Sequence, residues 1–231
     1  MSSHVSVAID GPSGAGKSSL ARKAAARFGF IYVDTGAIYR SVALACFRRG
    51  IDTRDAAAVE TVLPELDIQM RYLDGEQRMF LNGEDVSTDI RLPEVSICAS
   101  NVSALPAVRA FLMEMQRRMA REHDVIMDGR DIGTVVLPQA EVKIFLTASA
   151  EARAERRLLE LENKGVQTDF EEVLRDIRYR DEQDSNRAIA PLKAAEDAIC
   201  LDTTELNFEE SLALLCHTIS GKLGHPEGSA E

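Results

Sequence analysis

Apolar residues recur along this chain in two rhythms, one suited to short buried strands and one to helices. His4–Asp10 (HVSVAID) is a β-rich run that ends at a glycine, as a buried strand does. Lys17–Phe28 places Leu20, Ala24 and Phe28 four residues apart, which predicts an amphipathic helix. Phe30–Val33 predicts a second strand ending at Asp34, and Ile38–Arg49 a second helix. Strand, glycine-rich turn, helix, strand is the opening of a βαβ unit.

The rhythm then shortens. Leu66–Met70, Gln77–Leu81 and Glu84–Val86 are alternating runs separated by Asp74-Gly75 and Asn82-Gly83, both hairpin turn signals. They predict a small antiparallel sheet inserted into the α/β pattern. Pro93–Ser103 and Pro106–Glu122 read as helices that begin at proline. Strands return at Val125–Met127, Val142–Leu146 and Ile199–Asp202. Charged helices are predicted over Glu151–Leu161 and Phe170–Asn186, with Lys164-Gly165 between them, and a last helix over Phe208–Leu223. Five short strands, most followed by helices, predict an α/β fold with an open parallel sheet and helices on both faces. The tail Gly224–Glu231 is expected to be disordered.

Composition narrows the class. The chain has 231 residues, 45% hydrophobic and 28% charged, which suits a globular protein and excludes a disordered or fibrous one. Its net charge of −11 argues against a sequence-blind nucleic-acid binder or a membrane-surface protein. No run of 18 apolar residues occurs, and Met1–Val7 lacks the pattern of a secretory leader. Cys46, Cys98, Cys200 and Cys216 form no CxxC pair and the histidines are scattered, so no zinc or disulfide framework is visible. A cytoplasmic location is expected.

The chemistry starts at Gly11-Pro12-Ser13-Gly14-Ala15-Gly16-Lys17-Ser18, which matches GxxxxGK[ST] between a predicted strand and a predicted helix. Glycines let several N–H groups turn toward phosphate oxygens, and the helix start adds partial positive charge. Lys17 would reach the β- and γ-phosphates of a nucleoside triphosphate, and the hydroxyl of Ser18 would ligate Mg²⁺. No guanine-reading [NT]KxD motif occurs, since Asn163-Lys164-Gly165-Val166 lacks the aspartate. The strand ending at Asp128 resembles a Walker B strand, but Gly129-Arg130-Asp131 follows, with no glutamate to activate water. Phosphoryl transfer is therefore favoured over hydrolysis.

Transfer needs an anionic acceptor. Asp34-Thr35-Gly36-Ala37-Ile38-Tyr39-Arg40 follows a strand, and residues at the carboxyl end of a parallel strand face the ligand crevice. Arg40 there is either a phosphate clamp or a solvated residue behind a helix cap. Asp128-Gly129-Arg130-Asp131-Ile132-Gly133-Thr134 has the same placement. Seven of the 21 arginines lie between Arg153 and Arg187, among a larger number of acidic residues. Arg180, Asp184 and Arg187 fall at i, i+4 and i+7, and Arg153, Arg156 and Arg157 at i, i+3 and i+4. Each set reads as a phosphate-binding face or as a surface ion-pair ladder.

The combination of GPSGAGKSS (Gly11–Ser19), DTGAIYR (Asp34–Arg40), DGRDIGTVV (Asp128–Val136) and KIFLTAS (Lys143–Ser149) resembles the bacterial cytidylate kinases. RYRDEQDSNR (Arg178–Arg187) and APL (Ala190–Leu192) are similar to theirs too, so the resemblance runs from about Val5 to Leu223. It implies a P-loop kinase that transfers the γ-phosphoryl group of ATP to CMP or dCMP with Mg²⁺. It also implies one kinase domain with a core (1–34, 104–150, 195–223), a monophosphate-binding lobe (about 35–103) and a lid (about 151–194).

By the resemblance, Gly11 to Ser19 bind ATP, while Lys17, Arg130 and Arg187 carry catalysis. Thr35, Tyr39 and Arg40 line the CMP site, with Arg40 and Arg130 on its phosphate. Ser100, Arg109 and Asp131 face the cytosine, Arg180 and Asp184 the sugar, and Arg187 the phosphates. Lid arginines are expected near ATP without being singled out. Where the family often has serine this chain has Thr35, and where it often has Gly-Thr after the lysine this chain has Ser18-Ser19. That leaves open which hydroxyl meets Mg²⁺. The expected partners are small molecules acting on a monomer, with no nucleic acid and no membrane. Another small-acceptor kinase (UMP or shikimate) or a nucleotide-dependent switch is the alternative.

Overall fold

The structure, a computed structural model, describes residues 4–73, 75–163 and 165–224. Asp74 of the first hairpin turn, Lys164 between the charged helices, and the tail from residue 225 onward lie outside the described residues. The chain forms two compact units: the described residues of Met1–Tyr32 and Ala120–Glu231 make one, and Val33–Met119 the other.

The first unit is built on a parallel sheet. Its strands are β1 (Ser6–Asp10), β2 (Ile31–Asp34), which runs on into the second unit, and then β6 (Val125–Gly129), β7 (Val142–Thr147) and β8 (Ile199–Asp202). Their spatial order is β2-β6-β1-β7-β8, with β1 central and parallel to both β6 and β7. β1 and β6 are buried along their whole length, which is why they read as continuous apolar runs. Alternate residues Val7 and Ile9, with Ile144 and Leu146 of β7, face helices α1 (Lys17–Phe28) and α8 (Phe208–Leu223). Leu20, Ala24, Leu212, Leu215 and Ile219 close that layer. A reciprocal box between Asn207 and Glu210 starts α8.

Helices α6 (Ala150–Asn163) and α7 (Phe170–Ser185) form a smaller layer through Ala154, Val173, Leu174 and Ile177. Helix α7 ends at Ser185, one residue before the expected end, with Asn186 as its cap, so Arg187 lies beyond the helix and shares no helical face with Arg180 and Asp184.

The second unit contains α2 (Thr35–Arg48), α3 (Ala56–Val62), α4 (Pro93–Ser103), α5 (from Pro106, ending at Glu122) and a three-stranded antiparallel sheet of β3 (Ile68–Leu73), β4 (Glu76–Leu81) and β5 (Glu84–Asp85). The inserted hairpins are therefore present. α2 starts three residues earlier than its apolar spacing suggests, because Asp34 caps it by accepting from the Ala37 N–H at 2.9 Å. α3 has no counterpart in the apolar pattern; it is seven residues long and depends on the Asp55 cap. Among the described residues no single helix is long and apolar enough to cross a membrane. The bent pair α4 and α5 passes by length and composition only, and its Val95, Val102, Val108 and Leu112 belong to the unit's core.

Candidate active site

β1 ends at Asp10 and the glycine-rich loop begins at once. A Cβ on Gly11 would lie 1.9 Å from the Leu146 carbonyl oxygen, so no other residue fits there. Gly16 occupies the left-handed region at φ 83° and starts α1 with no side-chain cap. The first N–H groups of α1 thus keep their polarity for a ligand, which is what a phosphate needs.

Lys17 is buried and its ammonium donates to the Pro12 carbonyl at 2.6 Å, folding back over its own loop. Burial pushes its pKa well below the ordinary lysine value; the nearby Arg130 guanidinium adds to this, and Asp128, Asp184 and Asp10 oppose it. An arriving polyphosphate supplies the missing negative charge, so binding would restore the full charge on Lys17. The Ser18 hydroxyl donates to Asp128 Oδ2 at 2.8 Å, while the Tyr32 hydroxyl donates to Oδ1 at 2.9 Å. Ser18 is therefore the loop hydroxyl joined to the strand-end carboxylate. This hydroxyl and carboxylate are hard oxygen donors and fit Mg²⁺, an ion that keeps several waters and takes few protein ligands. Consistently, no group of three or more His, Cys, Asp or Glu side chains is placed to hold a metal among the described residues.

The loop after β6 is held from two sides. Arg130 donates through Nε to Asp184 Oδ2 at 2.7 Å, and Arg187 pairs with Asp184 Oδ1. Asp184 is only 5% exposed, so the two half-buried arginines meet on a buried carboxylate and not in a surface ladder. Arg180, half-buried one turn earlier, makes no hydrogen bond or ion pair among the described residues. Asp131 is buried and its carbonyl accepts from Val135 and Val136, opening a single π-helical turn at Ile132–Val136. Asp10 accepts from the Ile132 N–H at 2.7 Å and the Gly133 N–H at 2.8 Å. Its carboxyl pKa is raised to about 6 by burial, with the Asp131 charge adding, while these two amides and Lys17 pull it down.

The arginines of α6 have other work. Arg153 is buried; it donates to the carbonyls of Ala148 (2.9 Å) and Ser13 (2.8 Å) and pairs through both terminal nitrogens with Asp181. Arg156 donates to the Thr203 and Leu206 carbonyls. Among the described residues Arg157 pairs only with exposed Glu160, at 2.7 Å.

In the second unit, Arg40 donates to Asp34 Oδ2 at 2.9 Å, and its Nε is buried with no hydrogen-bond partner among the described residues. Asp34 is also tied to β4 through Gln77. Thr35 is buried at the start of α2. Arg109 is buried, donates to the Ser103 carbonyl at 3.1 Å and lies 5.7 Å from the centre of the Tyr39 ring. Ser100 sits one turn before Ser103 on α4 and is half-buried. Within this unit the structure brings Tyr39 and Arg109 together and sets Arg40 on Asp34.

Asp10, Tyr32 and Asp181 were not picked out as site residues in the sequence. Asp10 had a usable signal: like Asp34 and Asp128 it stands at the carboxyl end of a parallel strand. Tyr32 and Asp181 had none, because each acts through a partner distant in sequence.

Comparison with known proteins agrees with the motifs. A profile of the family described as cytidylate kinase matches residues 7–220. A cytidylate kinase of Caldicellulosiruptor bescii is 50% identical over 208 residues, covering 90% of this chain and 92% of the relative. One of Lactobacillus johnsonii is 50% identical over 94% of each chain. One of Geobacter sp. (strain M21) is 51% identical over 95% of this chain and 94% of its own. With the glycine-rich loop, the Ser18–Asp128 pair and the Asp184 cluster in place, this match over nearly the whole length settles membership: the chain belongs to the cytidylate kinase family.

Proposed function

We propose that this protein is a (d)CMP kinase, transferring the γ-phosphoryl group of ATP to CMP or dCMP to give ADP and CDP or dCDP. The observation that carries the reading is the company Lys17 keeps. Beside a loop built for a triphosphate stand Arg130 and Arg187, both held on the buried Asp184 and so oriented in advance for a second anion. No glutamate follows Asp128 to activate water.

The loop N–H groups, from Gly11 to Ser19, hold the ATP phosphates, and Lys17 leaves the Pro12 carbonyl to meet them. Ser18 and Asp128, joined by a hydrogen bond, would hold Mg²⁺, which would supply charge neutralisation on the phosphate oxygens when bound. The attacking oxygen of the acceptor phosphate is already anionic, so the reaction asks for no general base. Arg40 and Arg130 orient that phosphate, and Lys17 and Arg187 stabilise the charge that spreads during transfer. Asp131, Ser100 and Arg109 read the cytosine, where a carboxylate accepts from the N4 amino group that uracil lacks. Arg180 and Asp184 serve the sugar. Asp184 already accepts one arginine on each oxygen, and each oxygen retains a lone pair for a hydroxyl. Thr35 and Tyr39 line the acceptor region on α2. All these roles fall on one chain, so the reading asks for no second protomer, no nucleic acid and no membrane.

A coupled assay of ADP formation with CMP, dCMP, UMP, AMP and shikimate tests the activity. Turnover with CMP and dCMP is expected; ATP binding without turnover of any monophosphate would sink the reading. For base choice, Asp131→Ala is expected to raise KM for CMP by about tenfold or more, since a hydrogen bond to a charged group is worth roughly 1.5–3 kcal/mol. The Kd for ATP should not change. A variant that binds CMP normally and ATP poorly would move Asp131 to the donor side.

A further inference from the structure

We infer that Asp10 is a positioning residue for acceptor recognition: from the end of β1 its carboxylate fixes the turn that follows Asp131 and so sets how Asp131 meets the acceptor base. The inference rests on the reading of Asp131 given above and adds what holds that residue in place.

The turn Ile132–Val136 opens on the Asp131 carbonyl, which accepts from Val135 at 2.9 Å and Val136 at 3.1 Å. The first N–H groups of any helical turn have no partner inside it. Usually the residue in the capping position accepts from them with its own side chain. Asp131 holds that position, yet its side chain makes no capping bond. Asp10 does so instead, from 122 residues away, with Oδ1 on Ile132 and Oδ2 on Gly133. The β1–β6 register, which pairs Asp10 with Gly129, brings the two strand ends level.

Two bonds from one carboxylate to consecutive amides fix the peptide in rotation as well as position. The first of those peptides begins at the Asp131 carbonyl, so its plane sets the direction in which the Asp131 side chain leaves the backbone. The residue after Asp10 is Gly11, the start of the phosphate loop. One side chain thereby ties the acceptor-reading turn to the strand that launches the donor loop. The tie has a cost, because Asp10 is only 4% exposed and a buried carboxylate is unfavourable unless fully bonded. The raised pKa of Asp10 is the mark of that cost. An asparagine would fill the same volume, but its amide nitrogen would face one of the two N–H groups, donor against donor.

The test is a double-mutant cycle between Asp10→Asn and Asp131→Ala, read as kcat/KM for CMP and for UMP, with ATP Kd and a melting curve alongside. Asp10→Asn is expected to cut the preference for CMP over UMP by about tenfold, the order expected for a charged hydrogen bond made badly. ATP Kd should stay within about threefold, as in any variant confined to the acceptor side. In the Asp131→Ala background the same substitution should move the preference less than about twofold, because no carboxylate remains to be positioned. Equal losses with CMP, UMP and ATP, or additive effects in the double variant, would reduce Asp10 to a structural residue. If Asp131→Ala collapses the preference and Asp10→Asn leaves it intact, only the positioning role falls. If Asp131→Ala itself leaves the preference intact, the reading of Asp131 falls and this inference with it. Should Asp10→Asn not fold, Asp10→Ser, which removes the carboxylate without opposing the amides, is judged by the same outcomes.

Discussion

The glycine-rich loop and the arginine-rich helices handle charge in opposite ways. The loop offers main-chain N–H groups and one buried ammonium, and its shape is imposed by contacts such as the Gly11–Leu146 approach. The arginines of α6, and Arg187 just past α7, are already engaged before any substrate arrives, each held by carbonyls or carboxylates. Within that second group there is a further division. Arg153 and Arg156 close their forks on main-chain carbonyls and act as struts between elements. Arg130 and Arg187 share the single carboxylate of Asp184, and the Nη2 of Arg130 makes no hydrogen bond among the described residues. A strut has used its fork; Arg130 is oriented by Asp184 and keeps a donor for phosphate.

The largest expected effect tests the loop. Lys17→Met should lower kcat by about 100-fold or more, the order seen when a group that stabilises transition-state charge is removed. The fold should not suffer. The folded protein holds the Lys17 proton less tightly than the unfolded chain does, since burial lowers its pKa from 10.5. Lys17 therefore costs stability at neutral pH and below, and that cost fades as pH rises from the depressed value toward 10.5. Melting curves should show Lys17→Met as stable as wild type, or more so, near neutral pH, with the gap closing at alkaline pH. An inactive variant that melts far lower would mean that Lys17 is structural.

Next comes the shared pair. Arg187→Ala should lower kcat/KM for CMP by about 100-fold, because its bonds to phosphate strengthen in the transition state. The Tm should fall by only a few degrees, since Asp184 keeps the Arg130 bond and is not left unpaired. Near-normal kinetics with a collapsed Tm would turn Arg187 into a strut like Arg153. The converse variant is Arg153→Lys, which keeps the charge and loses the fork on Ser13, Ala148 and Asp181. It should lose about 1.5–3 kcal/mol of stability, or roughly 4–10 °C for a chain of this size. KM for CMP should change little. A large kinetic loss at unchanged Tm would overturn the strut reading.

This division marks where the sequence stops being legible. The loop could be read because each of its residues is forced by main-chain geometry, and that geometry is local. Helices α4 and α5 could be read because a proline marks the start of each. Spacing puts Arg153, Arg156 and Arg157 on one face, but does not show what lies opposite. The partners Ser13 and Asp181 of Arg153 are 140 and 28 residues away, and Thr203 lies 47 residues from Arg156. For Arg187 even the face was misread, because Asn186 turns the chain before the last residue of the pattern. Asp10 is a different case: its place at a strand end is legible, but what it holds is not, because its contacts reach across 122 and 123 residues.

The smallest expected effect belongs to Arg157, the one arginine of its set that bonds neither to a carbonyl nor to a buried carboxylate among the described residues. Its pair with Glu160 is exposed on both sides, with side chains 42% and 48% accessible. Such a pair gains little, because water screens it and two long side chains lose freedom to form it. Arg157→Ala should cost about 0.3–0.5 kcal/mol, near 1 °C in Tm for a chain of this length. It should also leave kcat and both KM values within about twofold, as expected of a surface pair. The substitution is informative because Arg153 and Arg156 have already closed their forks on the main chain. If a residue of α6 reaches the phosphates of ATP, Arg157 is the one whose donors are held only by an exposed partner. A fall in kcat of tenfold or more at unchanged Tm would therefore place Arg157 with Arg130 and Arg187, and would show that α6 carries a substrate-binding arginine beside its two struts.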